Sequence, residues 1–528
     1  MSAECRAPEA DALRSGAHDA QSDSAAQRWV LAASVLGSSV AFTLSSVVNV
    51  ALPAMQSSLG TNAATMQWVL NAYLLPLAGL ILIGGALGDR YGRTRVFAWG
   101  LGIVGVATAA CAWAPSAGWL IAARAVQGVG AALLVPGSLA LLRAFFPPEE
   151  RGAAIGTWAG AAALTSAAGP LLGGYLVDVA GWRWMFVALV PFAAVALALA
   201  VFRLPESRAA HTDGDLDLPG AVLAAAGLGA LVFGLIRQGE TGWADPRVWG
   251  SVSAGVGLLG GFILREARTS APMMPLTLFR SATFSGANAL TMFLYMALGG
   301  LSFLFPYVLI GVHGYSATAA GAAFLPFTLL MGGLSRWMGG HIERIGARRM
   351  LITGTTVSAL GLALFALPGT SGSYWTTFFV PMVVLGLGMT VAVAPLTTVV
   401  MNAVDDDQAG TASGINNAAS RVAQLLAITL FGALTFGVYT STLDARAAQA
   451  DLSAASLAAV ASARQDPGGG APLDAVPPEE QAAVRAATAG ALVHGFRWAM
   501  GVSAALALMG AAVAAVSIPG RPVAEEPG

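Results

Sequence analysis

The stretch "IAARAVQGVGAALLVPG" at 121–137 places Arg124 in an apolar run that continues well beyond it on both sides. A guanidinium at that depth in hydrocarbon costs a few kcal/mol or more, so it needs a polar partner or a cavity. Gln127, three residues on, can share its helix face. Three roles remain open for Arg124: tied to backbone carbonyls, paired with an anionic part of a ligand, or part of a proton-coupling machinery. A second apolar-segment arginine stands in "GINNAASRVAQLL" at 414–426, where Asn417, Arg421 and Gln424 are spaced to share a face. Asn49, Asn71, Tyr73, Asn288 and Tyr295 add polar groups on other apolar runs, as interhelical bonds or as cavity contacts.

Other chemistry is poorly supplied. His18, His211, His313, His341 and His494 are scattered without ligand spacing, and Cys5 and Cys111 suit neither a disulfide framework nor a metal site. No bound cofactor and no metal are expected. The phosphate-cradling pattern GxxxxGK is absent, as is a nucleophile with a paired base, so neither ATP-driven transport nor enzyme activity is expected.

These residues must be positioned by membrane helices. The 528-residue chain is 56% hydrophobic and 10% charged, against about 25% charged in soluble domains. Apolar windows of about 20 residues, each long enough to cross a bilayer, recur about fourteen times, from 29–52 to 491–516. Arginines gather in alternate connections: Arg90, Arg93, Arg95, Arg143, Arg151 and Arg203 on one side, against Arg183, Arg237 and Arg247 in the short loops of the other. The positive-inside rule then puts both termini in the cytoplasm. Residues 1–28 and 517–528 read as cytoplasmic tails, the first disordered and without the pattern of a signal peptide. The net charge of −1 gives no reason to expect a nucleic-acid partner.

An internal repeat is visible. "GDRYGRTR" at 88–95 matches "HIERIGARR" at 341–349, with Gly92 aligned on Gly346. Two similar halves follow, an N-terminal six-helix bundle at 29–202 and a C-terminal one at 283–516. A linker at 203–282 inserts two further helices, 217–236 and 248–265. The Ala-rich outer segment 438–490 is expected to hold short amphipathic helices around a flexible middle, with no chemistry assigned.

Three motifs combine these features. "LGDRYGRTRVF" at 87–97 is a tight turn in which Asp89, Arg90 and Arg93 act as a positive-inside anchor or as a gate. "AAGPLLGGYL" at 167–176 puts Gly169, Pro170, Gly173 and Gly174 in the fifth span, where small residues permit close packing and proline a kink. Together with "RAVQGVGAALLVPG", they resemble the three signature motifs of the major facilitator superfamily, in order and in the expected spans. "VVNVALP" and "QWVLNAYLLPLAGLILIGGALGDR" are similar to its fourteen-span drug:proton antiporter branch. The resemblance covers nearly the whole chain apart from the tails and 438–490.

It implies an all-α membrane protein of two six-helix bundles with two extra central helices, working by alternating access. The implied function is secondary active multidrug efflux of lipophilic or cationic compounds, driven by the proton gradient, in a bacterial inner membrane. Asp89, Arg90, Arg93, Arg124, Gln127 and the 167–176 motif would serve coupling and gating. One departure concerns Leu44, five positions before Asn49, where many relatives carry an acid. Two further readings stay open: export of one endogenous metabolite, and a transport-dead sensor or assembly protein using 438–490. The partners are a small-molecule substrate and the lipid bilayer; nothing in the chain specifies a periplasmic adaptor or outer-membrane channel.

Overall fold

The structure, a computed structural model, describes residues 7–208, 216–405, 408–450, 452–465 and 471–520. Every regular element among them is helical. The first half comprises α1 (Ala7–Leu59), α2 (Ala63–Tyr91), α3 (Arg93–Ala112), α4 (Ala117–Phe145), α5 (Pro148–Ala180), α6 (Arg183–Val187) and α7 (Val190–Arg203). Helices α8 (Leu218–Thr241) and α9 (Pro246–Glu266) follow as a hairpin. The second half comprises α10 (Ala282–Gly311), α11 (Ala317–Ala322), α12 (Leu325–Gly339), α13 (Ile342–Ile345), α14 (Ala347–Leu364), α15 (Tyr374–Thr377), α16 (Phe379–Asn402), α17 (Ala409–Gln449), α18 (Ala454–Gln465) and α19 (Pro478–Ser517).

Thirteen helices among the described residues are long and apolar enough to cross a membrane, where the sequence predicts about fourteen. The difference is the expected span at 349–367. It forms α14, an 18-residue helix whose first turn carries Arg348 and Arg349, which shorten its apolar part. Of the tail expected over 1–28, the residues from Ala7 on fall within α1, as their Ala-rich composition favours; residues 1–6 lie outside the described part, as do 521–528 of the other tail.

Helices α1–α5 and α7 pack on one another as one bundle; α10, α12, α14, α16, α17 and α19 form a second. The bundles meet along α2 with α17, α5 with α11 and α12, and α1 with α10, while α8 leans on both α2 and α17. Asp217 ties the hairpin together by accepting from Arg265 Nε at 2.5 Å and from the Gly220 N–H at 3.0 Å. Burial alone would raise its carboxyl; the hydrogen bonds from Arg265 and Gly220 outweigh that and hold it below its ordinary range. In the segment 438–490, α17 and α19 extend beyond the bundle and hold α18 between them. Tyr439 donates to the Ala463 carbonyl there, and Arg464 pairs with Asp444. Residues 466–470, within its expected flexible middle, lie outside the described part.

The sequence repeat has a backbone counterpart. Gly92 adopts φ 107°, ψ 126° and Gly346 φ 90°, ψ 131°, each in the break between two helices. Positive φ of this kind favours glycine.

At the end opposite these arginine-rich turns, the bundles are in contact. The Asp178 carboxylate of α5 caps the N-terminus of α11, accepting from the Ala317 N–H at 3.0 Å, the Thr318 N–H at 2.7 Å and the Thr318 hydroxyl at 2.5 Å. Such a terminus favours an anion. Beside it, a Cβ on Gly174 would lie 2.2 Å from the Ala317 carbonyl oxygen, and one on Gly321 2.1 Å from that of Pro170. Tyr307 donates to Gln56 across α10 and α1 at 2.9 Å. Gly174→Ala is therefore expected to wedge this end open while leaving each bundle intact. In a background lacking Cys5 and Cys111, a cysteine at Ser302 should then react faster with an impermeant maleimide added from this side. Unchanged labelling would show that the α5–α11 contact is not the seal.

Candidate functional site

Between the bundles lies a cavity of about 210 Å³. Helix α1 lines it with Phe42, Ser45, Ser46 and Asn49, and α2 with Tyr73; α4 contributes Arg124 and α5 Ser166 and Pro170. From the second bundle come Leu298 and Ser302 of α10, Phe327 and Thr328 of α12, Met382 and Leu385 of α16, and Arg421, Gln424 and Ile428 of α17. The walls are apolar with a few polar groups, the usual composition of a small-molecule site. Two guanidiniums face this space, and no carboxylate lines it among the described residues.

Arg124 is 1% exposed. Its Nε donates to the Val69 carbonyl of α2 at 3.2 Å, and Nη1 to the Leu44 carbonyl of α1 at 3.3 Å and to Gln127 Oε1 at 2.5 Å. The guanidinium also lies 4.3 Å from the centre of the Tyr73 ring, a cation–π contact strengthened by desolvation. Gln127 passes the chain on to the Thr108 hydroxyl of α3 at 2.8 Å, and Tyr73 donates to the Ala41 carbonyl at 2.9 Å. Close approach makes this possible: a Cβ on Gly128 would fall 2.3 Å from the Tyr73 carbonyl oxygen, so α2 and α4 meet backbone to backbone. Hydrogen bonds to a charged group contribute about 1.5–3 kcal/mol each, the scale needed to offset this burial. Of the three roles left open, the contacts match the tie to backbone carbonyls.

Arg421 is held differently. Its Nη1 donates to Gln424 Oε1 at 3.2 Å, and its guanidinium lies 5.5 Å from the Phe42 ring centre on the opposite bundle. Its Nε is buried with no hydrogen-bond partner. The spacing of Arg421 and Gln424 brings them together as expected. Asn417 instead turns back to the Ser413 carbonyl of its own helix at 3.1 Å. Its neighbour Asn416, which the helical spacing alone does not single out, bonds Asn288 Oδ1 and the Thr291 hydroxyl of α10 at 3.1 and 2.7 Å.

Asn288 is thereby an interhelical contact outside the cavity lining, and Tyr295 does not line the cavity either. Asn71 bonds the Thr429 hydroxyl across the bundles at 3.0 Å, likewise outside the lining. Asn49 and Tyr73 stand in the wall. Phe42, Ser45, Ser46 and Phe327 carried no distinguishing signal in the sequence, being ordinary residues of apolar spans.

The two remaining motifs separate by contact. Asp89 accepts from Arg93 Nε at 2.8 Å within its own turn, and Arg90 stands 5.9 Å from the Tyr91 ring centre. The linker folds back on this turn, with Glu206 accepting from the Thr94 N–H at 3.1 Å. In α5, Gly169 and Gly173 face α1, where a Cβ would lie 2.6 Å from Ser46 Oγ and 2.0 Å from Val47 Cγ2. Pro170 and Gly174 face α11. One stripe packs a bundle; the next seals it to the other.

Two helical bundles around a shared interior cavity define a membrane transporter architecture. The chain belongs to the Major Facilitator Superfamily, whose family model matches residues 34–428. It is 34% identical, over 89% of its length and 88% of the relative's, to a tetracenomycin C resistance and export protein of Streptomyces glaucescens. It is 34% identical to a multidrug resistance protein of Mycobacterium tuberculosis over 79% and 78% of the two chains. Among solved structures, a bacterial homologue of the human lysosomal transporter Spinster shares the fold at a TM-score of 0.64, with 17% identity over 92% of this chain and 97% of that one.

Because Arg124 joins three helices, its removal is expected to cost folding as well as transport. Arg124→Ala should lower the melting temperature of the purified protein by several degrees and reduce folded yield. Arg124→Lys should recover only part, lacking the planar fork of donors. A melting temperature unchanged in the alanine variant would contradict this structural role.

Proposed function

We propose that this protein is a secondary active exporter of lipophilic small molecules, a drug efflux transporter of the bacterial cell membrane that works by alternating access. The observation that carries the reading is the apolar cavity shared by two bundles and closed at one end by contacts that alternation would break. The relatives named for resistance and export support the same reading. The arginine-rich turns are assigned to the cytoplasm by the positive-inside rule. With α14 taken as the fourteenth span, both termini lie there too, and the Asp178–α11 contact seals the outer face.

Position supports the gating roles. Asp89, Arg90 and Arg93 would act at the cytoplasmic turn, and Gly169, Pro170, Gly173 and Gly174 at the α5 interfaces. Arg124 and Gln127 would fix the charge of the cavity floor. Proton antiport, the drive implied by the family resemblance, is the second reading, and Asp178 favours it. This carboxylate loses its three donors whenever the outer end opens.

The test is transport in inverted membrane vesicles from a host stripped of its own exporters. Energised vesicles are expected to accumulate some members of a panel of lipophilic fluorescent compounds, and to lose them when the electrochemical gradient is collapsed. A panel in which nothing accumulates beyond control vesicles would overturn the export reading.

A further inference from the structure

The two cavity arginines differ in what they lack. Arg124 has its donors engaged by Val69, Leu44 and Gln127 and its face covered by Tyr73. Arg421, reaching in from the other bundle, has a buried Nε without an acceptor, and the aromatic ring of Phe42 beside it. The first-span acid that could neutralise them is Leu44 here, whose carbonyl, rather than a side chain, meets Arg124. Among the described residues lining the cavity, two positive charges therefore stand with no negative one.

We infer that the cavity selects lipophilic molecules carrying one anionic group, which pairs with Arg421, and that the membrane potential drives their export. This rests on the export reading above and names its substrate class. A guanidinium fork binds a carboxylate through two parallel N–H···O bonds, a charge-assisted pairing stronger than a neutral one. In a site of low dielectric the unmet Nε gains most from such an acceptor. Phe42, Phe327, Met382 and Ile428 supply the apolar wall for the rest of the molecule. A cationic molecule would meet two like charges and no counter-ion.

The same inference accounts for a transporter without a carboxylate in its cavity. A neutral or cationic compound leaving a negative-inside cell against its gradient needs a counter-moving ion, hence a group that carries it. An anion needs none. Each cycle moves one negative charge outward, in the direction the potential favours, and the empty carrier returns with no proton bound or released. By free-energy balance, a potential of about 60 mV sustains a tenfold concentration ratio of a singly charged substrate.

The test uses the purified full chain in liposomes with three matched probes, 1-pyrenebutyrate, 1-pyrenebutanol and 1-pyrenebutylamine, and a potential imposed by valinomycin and a potassium gradient. Protein-dependent butyrate flux is expected to follow the sign of the potential, with the amine the poorest substrate. Arg421→Gln should reduce the preference for butyrate over butanol by tenfold or more in binding titrations, and Arg421→Lys should restore part of it. Both variants are compared with wild type for monodispersity and melting temperature, so that loss of fold is recognised. Butyrate flux indifferent to the potential, preference for the amine, or a well-folded Arg421→Gln that keeps the wild-type preference would each overturn the inference. Transport of the alcohol or amine but not the butyrate would overturn it while leaving the export reading standing. If these probes and the wider panel all fail to move, the export reading itself falls.

Discussion

A guanidinium buried in an apolar helix bundle has to find its acceptors among the backbone, and much else in this protein follows from that. Arg124 takes carbonyl oxygens from α1 and α2, a side-chain oxygen from its own helix and the face of Tyr73. Helical carbonyls normally serve their own i+4 N–H, but an oxygen has a second lone pair free for a further donor. The cost of burial is thereby offset without a counter-ion. The positive charge stays, and the cavity beside it inherits that sign.

Glycine geometry provides the complementary constraint. Helices in lipid gain little from the hydrophobic effect and associate through packing, so close approach matters more than apolar content. Gly128 brings α4 onto α2 where Arg124 needs the Val69 carbonyl. In α5, successive positions divide between two partners. Only glycine fits at 173, because Val47 of the same bundle occupies the space a Cβ would need, whereas Gly174 lies on the Ala317 backbone of the second. The first contact lies within one bundle; the second, with the Asp178 cap beside it, joins the two.

How much of this the sequence discloses depends on range. Apolar length locates the thirteen clear spans, because hydrocarbon thickness is a strong constraint on composition. It places α14 less firmly, since two arginines occupy its first turn. Helical periodicity brings Arg124 with Gln127 and Arg421 with Gln424, both pairs being local. It cannot tell Asn416 from Asn417, because adjacent residues point some 100° apart and only the position of α10 decides which one finds Asn288. For the same reason the glycines of α5 are legible as small residues, but their division between α1 and α11 is not. The charge of the cavity lies between these cases. The absence of an acid at Leu44 is plain in the sequence, while the different surroundings of the two arginines emerge only once six or more helices are assembled around them.

The most direct measurement is proton movement during transport. Purified protein would be reconstituted with a pH-reporting dye trapped inside the liposomes, and efflux of a transported lipophilic anion followed alongside the internal pH at a clamped membrane potential. The expected result is substrate efflux with no protein-dependent proton flux, the charge being carried by the substrate alone. Protons moving inward in fixed proportion to substrate would contradict it, and would place a proton-binding group at the centre of the cycle.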